Sequence, residues 1–147
     1  LLALSGMRLT EATNITWGEI DFEKGLFVVT GGERGTKNRA ARHVPLFPSL
    51  RIFLEKLSGG QERDRNARIV QIDTARKAMS TACKKAKLPH FTHHCLRHYF
   101  VSNAIEKGID FKTIASWIGH KDGGVLVAKT YGHLRDTHSM EMAKRMI

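Results

Sequence analysis

The hydrophobic period of the chain changes at Pro48, and this change divides the sequence into two parts that must fold differently. Before Pro48, Leu26-Phe27-Val28-Val29 and Ala41-Arg42-His43-Val44-Pro45-Leu46 are strand-like runs, the second closed by proline. After Pro48, apolar residues recur at i, i+3, i+4 and i+7, on one face of a helix: Leu50, Phe53, Leu54 and Leu57. The pattern predicts a small sheet followed by helices, a mostly helical α+β fold.

The two strand-like runs belong to one antiparallel sheet, which we predict over residues 20–46 with a long hairpin tip at residues 31–39. A short extended segment is predicted at residues 69–72, after a charged loop. A following helix, capped by Asp73 or Thr74, is predicted to run to about Lys87 before Pro89. Other helices are predicted at residues 1–4, from residues 8–10 onward, and at 50–57, 94–107, 111–118, 125–130 and after 136.

Composition restricts the class of protein. The 147 residues are 41% hydrophobic, which is enough for one packed core, and their number fits a single domain. No apolar run approaches the ~20 residues that a membrane span needs. Cys83 and Cys95 form no disulfide framework, so a cytoplasmic location is expected. Because the chain begins without Met, inside an apolar helical stretch, we expect it to be a fragment.

The chain is strongly basic, with 24 Lys and Arg against 14 Asp and Glu, a formal net charge of +10. Such a charge attracts polyanions, and double-stranded DNA is the polyanion we expect. A solvated basic surface without a partner is the plain alternative. Membrane-surface binding fits less well, because the basic residues are spread through the chain rather than gathered on one amphipathic helix.

The segment Thr92-His93-His94-Cys95-Leu96-Arg97-His98-Tyr99-Phe100 contains the most specific chemistry. His94 and Arg97 are i, i+3 neighbours on a helix, so a titratable imidazole lies beside a forked cation that suits phosphate. In one alternative, Leu96, Tyr99 and Phe100 form the buried face, and the histidine and arginine are solvated. In another, His94, His98 and Cys95 bind a metal, although the charge of Arg97 and the lack of a CxxC pair oppose it.

Two further candidates lie near the end of the chain. Tyr131 is a possible nucleophile, but a phenol needs a neighbouring base and an electropositive pocket to react. Taken alone, Tyr131 is better interpreted as a half-buried amphipathic side chain. Gly119 is predicted to end a helix, which places His120 on a loop where it is either solvated or donates to an anion.

The first half of the chain supplies two more basic candidates. Lys37 lies at the predicted hairpin tip among other basic residues and is either a nonspecific DNA contact or a proton donor. Arg8 starts a helix with Glu11 at i+3. Its plain interpretation is one ion pair worth less than ~1 kcal/mol.

In chain order, these motifs resemble the catalytic domain of the tyrosine recombinases, the phage-integrase type of site-specific DNA recombinase. The resemblance covers nearly the whole chain. It rests on five segments: Gly6-Met7-Arg8-Leu9-Thr10-Glu11; Thr36-Lys37 before Arg42-His43-Val44-Pro45-Leu46; His94-Cys95-Leu96-Arg97-His98; Ile118-Gly119-His120; and Thr130-Tyr131-Gly132-His133-Leu134.

The resemblance implies a role for each matching residue. Six are implied to be catalytic, with Tyr131 as the nucleophile: Arg8, Lys37, His94, Arg97, His120 and Tyr131. Glu11 is implied to support Arg8. The family chemistry would cleave and rejoin DNA through a 3′-phosphotyrosyl intermediate, without cofactor, metal or ATP, and its members usually act as tetramers on DNA.

Two features depart from the family pattern. The interval from His120 to Tyr131 is about two residues longer than usual, through residues 121–124, which affects how the nucleophile is presented. The helical DNA-binding domain that normally precedes this catalytic domain is absent from residues 1–147. The alternatives are a type IB topoisomerase that relaxes supercoils, a noncatalytic DNA-binding relic of the same fold, and a metallo-nuclease.

Overall fold

A three-stranded antiparallel sheet and seven α-helices make up the described part of the computed structural model, which covers residues 1–30, 41–132 and 143–144. The strands are β1 (Ile20–Asp21), β2 (Leu26–Val29) and β3 (Arg42–Pro45), and the helices are α1 (Leu2–Ser5), α2 (Leu9–Asn14), α3 (Pro48–Ser58), α4 (Arg76–Lys85), α5 (His93–Glu106), α6 (Phe111–Ile118) and α7 (Val125–Tyr131).

The strands pair in the order β1-β2-β3, with Phe27 opposite both Ile20 and Val44. The predicted sheet and the α+β class are therefore confirmed. Because side chains alternate across a strand, Val29 and Phe27 point to the same buried side as Val44. The hairpin tip predicted at residues 31–39 lies outside the described residues.

Two hydrophobic clusters form the core. One joins the sheet to α3 through residues such as Phe27, Val44 and Leu50, and the other joins α5, α6 and α7. Phe47 packs against both clusters, and its ring centroid lies 4.9 Å from that of Trp117. The sheet and the helical part thus share one continuous packing surface.

The helix boundaries follow local sequence signals. Pro48 occupies the first turn of α3, and α6 ends at Gly119, whose φ of 74° is the left-handed conformation that glycine adopts without strain. The predicted bounds of α6 are confirmed, and those of α5 and α7 differ by about one residue. The helix predicted after residue 136 lies largely outside the described residues.

Residues before α4 are held by partners that are distant in sequence as well as by local ones. Residues 69–72 form no regular strand; the Ile69 amide donates to Ile15 O at 3.0 Å, next to an isolated bridge between Thr16 and Arg68. Of the two predicted caps, Thr74 accepts from the amide of Arg76, the first residue of α4, at 3.3 Å, whereas Asp73 pairs with Arg68 instead. The Ala75 amide at the start of α4 donates to His93 Nε2 at 3.0 Å, so a side chain from α5 serves this end of α4.

Within the described ranges, no helix combines the length and the apolar character of a membrane span.

Candidate active site

One cleft of about 790 Å³ brings together four of the predicted site residues. Arg8 comes from the start of α2, His94 and Arg97 from α5, and His120 from the loop after α6. The cleft lining consists of Met7, Arg8, Leu9, Arg76, Met79, His90, Phe91, Thr92, His93, His94, Arg97 and His120. This described lining contains cations and imidazoles but no carboxylate, which makes the cleft electropositive.

Arg97 is buried beneath the cleft, with only 6% of its surface exposed. Its guanidinium donates to the carbonyl oxygens of Gly6 at 2.5 Å and Ile118 at 2.8 Å. Burial, followed by the charge of Arg8, lowers the pKa of Arg97 to about 10, so the group remains protonated at neutral pH. The alternative in which Arg97 is solvated is wrong, and Tyr99, which it placed on the buried face, is 59% exposed.

Glu11 is a buried carboxylate that holds two arginines. Its oxygens accept from Arg8 Nη1 at 3.1 Å and from the Arg8 amide at 2.8 Å. They also accept from Arg42 Nη1 at 3.0 Å and Arg42 Nη2 at 2.8 Å. Burial raises the pKa of Glu11, but the bonds and charges of Arg42 and Arg8 outweigh burial and leave that pKa below its usual value. The interpretation of Arg8 and Glu11 as a single surface ion pair is therefore too simple.

The described structure gives Arg42 a role that its basic neighbours do not suggest. In the sequence, Arg42 is one of several basic residues near Lys37, at the start of the second strand-like run. Its side chain is instead 12% exposed, because it reaches inward to Glu11. A signal for this exists in the sequence: Arg42 and Val44 share one face of β3, so a charge at residue 42 points toward the core face.

His120 faces the buried guanidinium. Its Nε2 lies 3.4 Å from Arg97 Nη2, and since a guanidinium only donates, Nε2 accepts and Nδ1 carries the proton. His120 Nδ1 is buried with no hydrogen-bond partner among the described residues. Burial, and then the charges of Arg97 and Arg8, lower the pKa of His120. The imidazole is thus neutral at neutral pH.

Tyr131 is placed just beyond the cleft. It does not line the cleft, and its hydroxyl contacts Nδ1 of His98, one helical turn along α5 from His94. The rings of His94 and His98 meet edge to face, with centroids 4.3 Å apart. Burial, and then the charges of His94 and Arg97, lower the pKa of His98.

The sequence assigns no reactive role to His98, and only its i, i+4 relation to His94 marks it. The metal alternative used that same relation. Among the described residues, however, no group of three or more His, Cys, Asp or Glu side chains is placed to hold a metal ion. Lys37 lies outside the described residues, five positions before Arg42 at the start of β3.

We expect the fold to lose stability in mild acid, as His98 and His120 take up protons. Because the folded-state pKa values of His98 and His120 lie below 6.5, the unfolded chain binds protons more readily there. Stability is therefore full above pH 6.5 and is lost as the pH falls through the two lowered values. Urea denaturation at about pH 7.5 and about pH 5.5 measures the loss.

The matched control is the His98→Gln, His120→Gln double variant, whose stability should change less between these two pH values. Burial also lowers the pKa of the N-terminal amine below its usual value of 8.0, which adds the same acid loss to both proteins. The lowered pKa values of Glu11 and Asp110 matter only below about pH 4.5, outside this window. An equal acid loss in the double variant would contradict the assignment.

Comparisons with known proteins agree with the motifs. The phage integrase family model matches residues 1–138. Tyrosine recombinase XerA of Pyrococcus furiosus is 26% identical over 151 residues, covering 99% of this chain and 52% of that protein. Tyrosine recombinase XerA of Thermococcus kodakarensis is 32% identical over 130 residues, covering 83% of this chain and 45% of that protein. The chain thus spans about half the length of the curated relatives it matches.

Solved structures share the fold. The crystal structure of XerA recombinase superposes with a TM-score of 0.71 at 23% identity, over 98% of this chain and 54% of that one. The catalytic domain of bacteriophage HP1 integrase gives a TM-score of 0.68 at 23% identity, over 97% of this chain and 76% of that one. Because the family match spans nearly the whole sequence, the chain belongs to the phage integrase family.

Proposed function

We propose that residues 1–147 are the catalytic domain of a site-specific DNA recombinase that cleaves and rejoins strands through a 3′-phosphotyrosyl intermediate. The observation that carries the proposal is the convergence of Arg8, Arg97, His94 and His120 on one cleft without a lining carboxylate in the described part. Two guanidiniums beside imidazoles suit a phosphodiester, whose nonbridging oxygens need forked, charged donors. Double-stranded DNA is the proposed partner, in accord with the net charge of +10.

The cleavage step follows from these groups. Arg8 and Arg97 bind the nonbridging oxygens and stabilise the charge of the pentacoordinate transition state. His120 donates to the phosphate through Nε2, which requires its proton to shift from Nδ1 to Nε2 when the phosphate binds. The phenol oxygen of Tyr131 forms a bond to phosphorus while the bond from phosphorus to the 5′ oxygen breaks. His94 accepts the phenol proton, and Lys37 protonates the leaving 5′ oxygen. The phosphotyrosyl bond conserves the diester energy, so rejoining requires neither ATP nor another cofactor.

Tyr131 must travel from His98 to the cleft before it attacks. His98 and His94 are one turn apart on α5, so the phenol moves about 5–6 Å along that helix. A pivot for this movement would lie at Gly123 and Gly124, which precede α7 and have φ values of 66° and 98°. Residues 121–124 also form the interval that is longer than the family pattern. We propose that this pivot delivers the nucleophile.

The test is covalent capture of DNA. The purified chain is incubated, with a chelator present, with nicked duplexes whose central sequence is randomised, and trapped protein–DNA adducts are sequenced. A recombinase yields an adduct that joins Tyr131 to a 3′ phosphate at a selected sequence. A metallo-nuclease yields cut DNA without an adduct and only without chelator. A noncatalytic relic binds the duplexes and yields neither product.

Two further readouts address the rest of the proposal. Relaxation of a supercoiled plasmid without strand exchange would favour a type IB topoisomerase. The proposed tetramer on DNA is tested by sedimentation of the protein bound to the selected duplex. Monomers on singly occupied sites would contradict the tetramer without affecting the cleavage chemistry.

For Lys37, we expect the Lys37→Ala variant to cleave an ordinary duplex about 100-fold more slowly, because the 5′ alkoxide then leaves without its proton. A duplex with sulfur in place of the 5′ bridging oxygen should be cleaved at nearly the rate of the unchanged chain, since a thiolate leaves without an acid. Gel analysis of adduct formation measures both rates. Lys24→Ala, which removes an exposed lysine, is the control. An equal defect on both duplexes would remove Lys37 from the proton-donor role.

A further inference from the structure

We propose that Arg42 is a positioning residue that keeps Arg8 available for the scissile phosphate by neutralising Glu11. This inference rests on the proposed function of the cleft. Arg42 does not line the cleft, so it acts through other residues. Each nitrogen of its guanidinium is engaged: Nη1 and Nη2 bond the two oxygens of Glu11, and Nε bonds the carbonyl of Trp117 at 2.8 Å.

Arg42 forms a bidentate ion pair with Glu11, whereas the guanidinium of Arg8 forms a single, weaker bond to the same carboxylate. The two Arg42 bonds to the carboxylate are parallel, one to each oxygen. Within the described part of the chain, the bonds of the Arg8 guanidinium all use Nη1, to Glu11 at 3.1 Å and to Ile118 O at 3.5 Å. Two donor nitrogens of Arg8 therefore remain to bind an anion.

Without Arg42, the carboxylate of Glu11 would compete with the phosphate for Arg8. Glu11 is 2% exposed, so its charge is little screened by water and would be compensated by Arg8 alone. Arg8 would then take up the two-pronged geometry and give up the donors that face the cleft. With Arg42 present, two guanidiniums share one carboxylate, and the site keeps an excess of positive charge.

Arg42 is also one of three arginines that bind the C-terminal end of α6. The carbonyls at the C-terminal end of α6 accept from three arginines: Arg42 to Trp117 O, and Arg97 and Arg8 to Ile118 O. A helix C-terminus carries partial negative charge, which favours cations there. Gly119 allows this approach, because a Cβ at residue 119 would lie 2.9 Å from Arg42 Nη1.

The test compares Arg42→Gln with the double variant Arg42→Gln, Glu11→Gln. Arg42→Gln should slow adduct formation at saturating DNA by about 10- to 100-fold, with little change in the DNA concentration needed for saturation. The double variant should recover about half of that loss on a logarithmic scale, because a neutral amide no longer captures Arg8. A purely structural role also predicts recovery in the double variant, because Arg42→Gln alone leaves the buried charge of Glu11 without its main partner. It differs in predicting that the rate follows the free energy of unfolding, whereas a positioning role predicts a slow rate in Arg42→Gln even where urea denaturation shows that the variant is fully folded at the assay temperature.

Arg51→Gln is the matched control, because Arg51 pairs with Glu55 on the surface of α3, away from the cleft. Circular dichroism establishes that each variant is folded. The affinity for inorganic pyrophosphate, titrated by calorimetry, is a second readout that needs no cleavage. The pyrophosphate affinity should fall in Arg42→Gln and recover in the double variant. This result is expected even if the unchanged chain forms no adduct with DNA. A missing adduct would refute the proposed function but not the role of Arg42. A double variant no better than Arg42→Gln in both readouts, or an Arg42→Gln variant with unchanged pyrophosphate affinity, overturns the role of Arg42.

Discussion

Tyr131→Phe should abolish the covalent protein–DNA adduct while leaving DNA binding intact. The substitution removes only the oxygen that would form the bond to phosphorus, and the described lining of the cleft contains no tyrosine that could replace it. The fold should change little, because the hydroxyl of the half-buried Tyr131 contributes one contact, to His98, worth about 1 kcal/mol. Denaturing gels measure the adduct, and fluorescence anisotropy measures DNA affinity.

Tyr99→Phe is the matched control, because Tyr99 follows His98 on α5, near the site, but is 59% exposed. It should form the adduct at the rate of the unchanged chain. An adduct that persists in Tyr131→Phe, with the phosphate mapped to a different residue, would refute the assignment of the nucleophile and with it the proposed mechanism.

Arg97→Ala should damage both chemistry and stability. Removing one preorganised donor from a transition state costs about 10²- to 10³-fold, and a guanidinium supplies more than one, so we expect a loss of about 10³-fold or more. The same change leaves the buried carbonyls of Gly6 and Ile118 without this donor, at about 1–3 kcal/mol each. Adduct kinetics and urea denaturation measure the two effects.

Arg97→Lys separates charge from geometry. Lysine keeps the positive charge but cannot reach both carbonyls with a planar fork, so stability should recover in part while cleavage stays at least about 100-fold slow. Arg76→Ala removes an exposed cation from the same cleft and should change the free energy of unfolding by less than about 0.5 kcal/mol. Full stability in Arg97→Ala would show that the two carbonyl bonds contribute nothing.

The fold was predictable where local signals act alone. The change of period at Pro48, the left-handed Gly119 and the alternation in β2 and β3 are properties of neighbouring residues, and the elements they predict are present. The start of α4 was predictable only in part: Thr74, two residues away, accepts from the Arg76 amide, but the amide of Ala75 donates to His93, 18 residues away on another helix. The backbone partner of Ile69 is Ile15, which is equally remote in the sequence.

The candidate site was predictable as a set of residues but not as an arrangement. The order of the motifs marks Arg8, Arg97 and His120 as candidates, and all three line the same cleft. Nothing in the order specifies that Arg97 is buried or that Tyr131 lies against His98, because both depend on how α5, α6 and α7 pack. Of the two partners of Glu11, Arg8 was predictable from its spacing of three residues, but Arg42 was not.

The position of Arg97 bears on how such a domain would decay once its host no longer needed it. Arg97 ties the turn before α2 to the end of α6, so genetic drift that removed it would also remove a folded product. The hydroxyl of Tyr131 carries little of that burden, because phenylalanine would keep the packing of the ring against the core, so loss of the hydroxyl would accumulate first in an idle descendant. Among divergent copies of this domain, the phenol, rather than the arginine, is the residue whose survival marks a working gene.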